Sequence, residues 1–295
     1  MSWVLLTMLA VNLWVVANIV DKHVISKYIK NPMNAISIQS VLILAYTSII
    51  ALFSRISVPS LFYLSVSIFS GILIFFAIVI YYTALKSEEV SRVIPLYSVE
   101  PIFVLIMATF FLGEKFTFDK YIGIALLVLG AFLISYRHYK RKQKVSKVVF
   151  MMLGASLLYA ISFVITKYLT ASMDTLSIFV FTEIGLGMSA LVFFILNWKE
   201  IRKIYVKNKK AVFLISIPTT FGFFGLLVYF MAISQGPASL VNALGNTLGF
   251  FVLFYATLVS IFRPSILKEE IRGSVVALKF VAIALIFAGA YLVVV

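Results

Sequence analysis

Long apolar runs alternate with short polar breaks along the whole chain. The runs fall at 2–28, 33–53, 60–85, 91–112, 120–136, 148–169, 174–197, 212–234, 238–262 and 273–295. Roughly 20 apolar residues carry an α-helix across the hydrocarbon core of a bilayer. A helix is also one of the few structures that closes its own backbone hydrogen bonds there. The breaks have ordinary turn chemistry: Asn31-Pro32 ends the first run, Pro59 opens the third, Lys86-Ser87-Glu88-Glu89 parts the third from the fourth, and Gly236-Pro237 parts the eighth from the ninth. The pattern predicts an all-α integral membrane protein of about ten transmembrane helices. The apolar stretch from Ser2 to Ile19 lacks a basic n-region and a small-residue cleavage site. It therefore reads as the first span, not as a removed signal peptide.

Composition sharpens this picture. Of 295 residues, 63% are hydrophobic and 12% are charged, which leaves no room for a sizeable soluble domain. With no cysteine there are no disulfides or thiolate metal sites, and His23 and His138 form no metal-binding pair. No Walker lysine loop, GxSxG elbow or strand-borne dinucleotide fingerprint is present, so neither an enzyme nor an ATP-driven pump is expected, and no cofactor. The net charge of +14 lies mostly in connections. Two of these are strongly basic: Arg137 to Lys144, extended by Lys147, and Lys199 to Lys210. With ten spans both lie on one face, together with Lys27, Lys30, Lys86, Arg92, Arg263, Lys268 and Arg272; the other face has chiefly Arg55, Lys115 and Lys120. The positive-inside rule puts the basic face in the cytoplasm and both termini outside. The charge thus speaks for a lipid bilayer and against nucleic acid as partner.

The second half repeats the first. Ala84-Leu85-Lys86-Ser87-Glu88-Glu89-Val90-Ser91-Arg92-Val93 aligns with Ala232-Ile233-Ser234-Gln235-Gly236-Pro237-Ala238-Ser239-Leu240-Val241. The helix from Ile124 through Gly130 to Leu133 aligns with that from Ile283 through Gly289 to Leu292. Lys22 and Lys167 occupy equivalent points, with Trp14 and Tyr159 eight residues before them. Three matches in order define a first repeat at 1–140, a basic linker at 141–147 and a second repeat at 148–295. Five spans per repeat is an odd number, so the halves insert in opposite senses as an inverted repeat.

The run Tyr97-Ser98-Val99-Glu100-Pro101-Ile102-Phe103-Val104, then Leu112-Gly113-Glu114, then Gly123 and Gly130, resembles the EamA domain of the drug/metabolite transporter superfamily. Two such domains would cover nearly the whole chain. The second half departs from the pattern: Leu248 stands for Glu100, Gly249 for Pro101, and the loop Arg263 to Glu270 is longer than its counterpart around Glu114. The resemblance implies a ten-helix carrier with a central cavity between its halves. It fixes no substrate, because members export amino acids, move nucleotide sugars or handle other metabolites.

Polar residues at membrane depth are the candidates for function. Glu100, beside Pro101, suits binding a cationic group or exchanging a proton, or pairing as a structural acid. Glu183, beside Gly185 and Gly187, suits lining the cavity or pairing with Lys167. Lys22 and Lys167 suit holding an anionic group, or snorkelling to the interface. Asn18 in span one (with Asn12), Gln39 in span two, and Asn242 and Asn246 on one face of span nine suit a zwitterionic or polyhydroxylated solute, or helix–helix hydrogen bonding. Tyr81, Tyr82 and Tyr229 suit the cavity wall or an interfacial belt. Glu114 at a span end is expected to cap or tether the turn before span five.

These readings favour a secondary transporter that moves a small polar metabolite, amino-acid-like or related, by alternating access. A flippase or exchanger for nucleotide-sugar or lipid-linked sugar, and a non-transporting membrane scaffold, are the alternatives. A short multi-pass chain of this kind suits a bacterial inner membrane, and a homodimer is compatible with it.

Overall fold

The computed structural model describes residues 2–29, 31–87, 90–135, 147–262, 281–282, 284–289 and 291–292, and among them the regular structure is all helical, without strands. Helix α1 spans Trp3–Lys27 and α2 Pro32–Phe53; Ser2 and Asn31 cap them by accepting from Leu5 N and Met33 N. Pro32 sits in the first turn of α2, where its missing N–H costs no helical bond. Helix α3 spans Leu61–Ser87. The fourth run is interrupted: α4 covers Val90–Val93, a 3₁₀ segment Ile94–Val99, α5 Glu100–Met107, and a π-turn Ala108–Leu112 ends at Gly113 with φ 68°. Then come α6 (Phe118–Ser135), α7 (Lys147–Leu169), α8 (Thr175–Leu196, capped by Asp174), α9 (Trp198–Lys207), α10 (Lys209–Gln235), α11 (Ala238–Gly245) and α12 (Leu248–Phe262).

Seven helices among the described residues are long and apolar enough to cross a membrane, counting α11 and α12 as one stretch, Ala238–Ser260. The outer surface is apolar too, with Leu9, Ile49, Phe69, Phe110, Ile195 and Phe213 exposed. Water would penalise such a surface; hydrocarbon does not. The last expected span, 273–295, and the basic connection Arg137–Lys144 lie largely or wholly outside the described residues.

Two expectations change. The fourth and ninth runs are broken rather than continuous helices. In the fourth, Pro95 and Pro101 each withhold a backbone N–H, and regular α-helix resumes only at Glu100. In the ninth, the break is at Asn246-Thr247 and α12 resumes at Leu248, the position that the repeat pairs with Glu100. The basic stretch from Lys199, expected as a loop, forms α9. Its Trp198, Ile201, Ile204 and Tyr205 recur at helical spacing among the basic residues; Ile201 is fully buried, and Trp198 meets the Phe194 ring. Asn34 Nδ2 donates to Glu200 Oε2 at 3.0 Å and ties α9 to α2.

Packing joins one half of the chain to the other. Helix α1 runs along α10, and α3 along α7; α2 meets α8 and α10, and α3 meets α8; α5 meets α7, and α11 and α12 meet α1. Exchanging the halves maps this set onto itself. The paired glycines Gly130 and Gly289 mark a further reciprocal contact. A Cβ on Gly130 would stand 2.8 Å from Ala282 O, and one on Gly289 2.6 Å from Gly123 O. The small residues let the backbones touch.

Candidate functional site

A cavity of about 250 Å³ lies where these cross-half contacts converge. Side chains from α1, α2, α3, α7, α8, α10, α11 and the 3₁₀–α5 junction line it. Among the described lining residues three are acids, Asp21, Glu100 and Glu183, and none is Lys, Arg or His.

The acids are held differently. Glu100 opens α5 next to Pro101, and Asn242 Nδ2 of α11 donates to its Oε1 at 2.7 Å. Asn246 Nδ2 donates to the Asn242 backbone O at 3.0 Å and to Asn242 Oδ1 at 3.4 Å, and the second contact steadies the amide that reaches Glu100. Asp21 of α1 is buried. Tyr82 Oη lies 3.1 Å from its Oδ2 and 3.0 Å from Gln39 Oε1, so the single phenolic proton serves one of two acceptors; Gln39 Nε2 is 3.5 Å from Asp21 Oδ1. Glu183 of α8 is 2% exposed and receives no hydrogen bond from the described residues.

Tyrosines and other rings form much of the wall. Tyr82, Tyr81, Tyr97 and Tyr159 stand in sequence with centroids 5.5, 5.6 and 5.5 Å apart. Tyr81 Oη donates to Asn18 Oδ1, and Asn18 Nδ2 to Trp14 O at 2.7 Å. Trp14 meets Tyr229 edge-on at 4.8 Å. A Cβ on Gly245 would stand 2.7 Å from Tyr229 Oη, so glycine lets that ring lie against α11. Tyr81, Tyr82 and Tyr229 are buried, and their expected alternative use in an interfacial belt is replaced by cavity lining. Asn12, by contrast, is exposed on the outer surface and donates to Met8 O.

Neither lysine lines the cavity. Lys22 Nζ donates to Leu85 O at 2.6 Å, and Lys167 Nζ to Ile233 O at 2.9 Å and Gly236 O at 2.7 Å. Leu85 and Ile233 each follow the paired Ala84 and Ala232 by one residue. The two lysines thus make the same bond in each half, to the carbonyl end of the third long helix, where a cation is favoured by the helix dipole. The expected Glu183–Lys167 pair is not formed. Glu114 does not cap its own following helix. Its carboxylate accepts from Ala238 N at 2.6 Å, Ser239 N at 3.1 Å and Ser239 Oγ at 2.9 Å, and so caps α11 of the other half. Its own turn is shaped by Gly113, in the left-handed region. Lys167 and Glu114 therefore hold the turn between α10 and α11 from both sides.

Comparison with known proteins follows this geometry. Residues 1–136 match the model of the EamA-like transporter family. The first half of the chain is EamA-like. An uncharacterized protein of Methanocaldococcus jannaschii is 33% identical over 72 residues, 24% of this chain and 53% of that protein; the chain spans about half the length of the curated relative it matches. A solved crystal structure, 14% identical, superposes with a TM-score of 0.68 over 98% of this chain and 95% of its own, a likeness of fold. With this match over its first half and its apolar helices, the chain is a multi-pass membrane protein whose first half is similar to a transporter family.

The EamA-like motif residues acquire places: Tyr97 and Glu100 in the cavity wall, Glu114 at the cross-half cap, Gly130 at the contact with Ala282. Sequence reasoning missed Asp21, Tyr159 and Thr166 as cavity residues. The available signal was the repeat itself. Trp14, Ala17 and Asp21 precede Lys22 at the spacings by which Tyr159, Ser162 and Thr166 precede Lys167, and all six line the cavity.

Proposed function

We propose that the protein is a secondary transporter of a small polar metabolite, working by alternating access at this cavity. The observation that carries the reading is the pair of helix breaks, at Glu100 and at Leu248, both bordering the cavity. Discontinuous helices at matching places in two repeats are the usual frame of a midplane binding site in carriers. The reciprocal packing and the matched Lys22 and Lys167 bonds support two inverted five-helix repeats, 1–140 and 148–295 joined by a linker at 141–147, within a ten-helix bundle. The basic-loop bias supports both termini outside a cell inner membrane. Glu100 is the coupling candidate, since a carboxylate released by Asn242 as the halves rock can exchange a proton. Asn18, Asn242, Asn246, Tyr81 and Tyr229 orient the solute, Glu183 meets it, and Lys22 and Lys167 hold helix ends.

The test is uptake by proteoliposomes offered a metabolite extract, with mass spectrometry of what enters, with and without an imposed pH gradient. Selective entry of one compound class is expected, steepened by the gradient in wild type and insensitive to it in Glu100→Gln. A gradient response that survives in Glu100→Gln removes that residue as the coupling group. No selective entry from folded protein overturns the transport reading in favour of a membrane scaffold.

A further inference from the structure

We propose that the solute is a small organic cation, an ammonium or amidinium group on an apolar or aromatic body, with Glu183 as its direct partner; the proposal rests on the transport reading above for its biological use. The first ground is the charge inventory. Three carboxylic side chains line the cavity and no described basic side chain does, so the described wall offers an anionic solute no opposite charge, whereas a cation can pair with a carboxylate where charges attract strongly. The nearest repeat lysines are engaged by carbonyls of α3 and α10 and do not border the cavity.

The second ground is Glu183 itself. Asp21 has Tyr82 and Gln39, and Glu100 has Asn242, but Glu183 is 2% exposed, borders the cavity and has no hydrogen-bond partner among the described residues. A carboxyl group removed from water normally finds a donor. An ammonium brings three and an amidinium offers paired ones, and charge-assisted bonds of this type are the strong ones.

The third ground is the wall. Tyr81, Tyr97, Tyr159 and Trp14 line the cavity, and aromatic rings of this kind attract a cation and pack against a flat apolar body beside it. A cavity of 250 Å³ corresponds to about eight water volumes, which suits a solute of roughly ten non-hydrogen atoms.

The experiment is calorimetric titration of the purified full chain with probes of one shape and different charge: phenethylamine and benzamidine as cations, phenethyl alcohol as the neutral analogue, and 3-phenylpropionate as the anion. The cations are expected to bind at least about ten-fold more tightly than the alcohol, and the anion not measurably. Glu183→Gln is expected to erase the cation preference while the alcohol binds as before. Equal or tighter binding of the alcohol or the anion, absence of binding by both cations, or an unchanged preference in Glu183→Gln overturns the proposal. Should Glu183→Gln fail to run as a monodisperse species, the wild-type charge series decides together with Tyr159→Leu, which is expected to weaken the cations several-fold more than the alcohol. Uptake of the same probes into proteoliposomes separates the two readings. Binding of cations without uptake leaves the cation site and defeats transport. Uptake of neutral or anionic solutes without cation preference leaves transport and defeats the cation site.

Discussion

Gly71→Leu and Gly185→Leu are each expected to yield no monodisperse folded protein, while Gly154→Ala is expected to behave as wild type. The reason is backbone contact between α3 and α8. A Cβ on Gly71 would stand 1.9 Å from Thr182 O, and one on Gly185 2.1 Å from Ile68 O. Neither carbonyl can rotate away as a flexible side chain would. Both are fixed in helical ladders, so the helices themselves must separate. Overpacking a tight site costs about 1–3 kcal/mol and sometimes more, and here every added atom beyond Cβ enlarges the separation. Even alanine at either site is expected to lower the melting temperature clearly in detergent. Gly154 of α7 has nothing within 4 Å of the added Cβ, and alanine there improves helix propensity. Size-exclusion profiles and thermal melts of these variants check the expectation. Wild-type behaviour of Gly185→Leu would mean that α3 and α8 do not cross where the structure puts them.

The second large effect is at Asp21. Asp21→Asn is expected to keep the fold and to lower uptake of a cationic solute by about ten-fold, roughly 1.4 kcal/mol, because it removes one of the three acids of the cavity. The amide still accepts from Tyr82 and reaches Gln39, so the network stays closed. Asp21→Ala is expected to lose uptake and stability together, because it leaves the buried Tyr82 and Gln39 without their shared partner. Uptake rates and melting temperatures on the same preparations separate charge from scaffold. If Asp21→Asn carries solute as wild type does, Asp21 is a structural member of the wall and the acidic character of the site rests on Glu100 and Glu183.

Much of this was legible in the chain. Hydropathy and turn residues located the first nine runs, and the paired Gly130 and Gly289 turned out to be contact points of the corresponding helices. Polar residues at membrane depth led to Glu100, Glu183, Asn18, Asn242 and Asn246, all in the cavity wall. What escaped depends on contacts between helices that lie apart in the sequence, within one half or across the two. Asp21 neighbours Lys22 and His23 and so looks like part of a polar helix end, yet α1 continues to Lys27 and its Asp21 face turns inward against Tyr82 and Gln39. The capping of α11 by Glu114 spans 124 residues of sequence, and nothing in its local turn indicates the distant N–H groups. The lysines were recognisable as a symmetric pair. Their helix-end carbonyls were not, because any buried acceptor satisfies an ammonium and charge pattern alone does not distinguish a solute from a backbone.

The most direct test of the account is accessibility of a single cavity position from both sides of the membrane. The chain has no cysteine, so Ile78→Cys in α3 and Leu226→Cys in α10, both lining residues, each introduce a unique thiol without background. A membrane-impermeant maleimide is applied to intact cells and, separately, to inverted vesicles. Alternating access predicts that each thiol is labelled from either side, and that a bound solute slows labelling from both. Labelling confined to one side under every condition, or labelling that no solute affects, would contradict a cavity that carries its contents across.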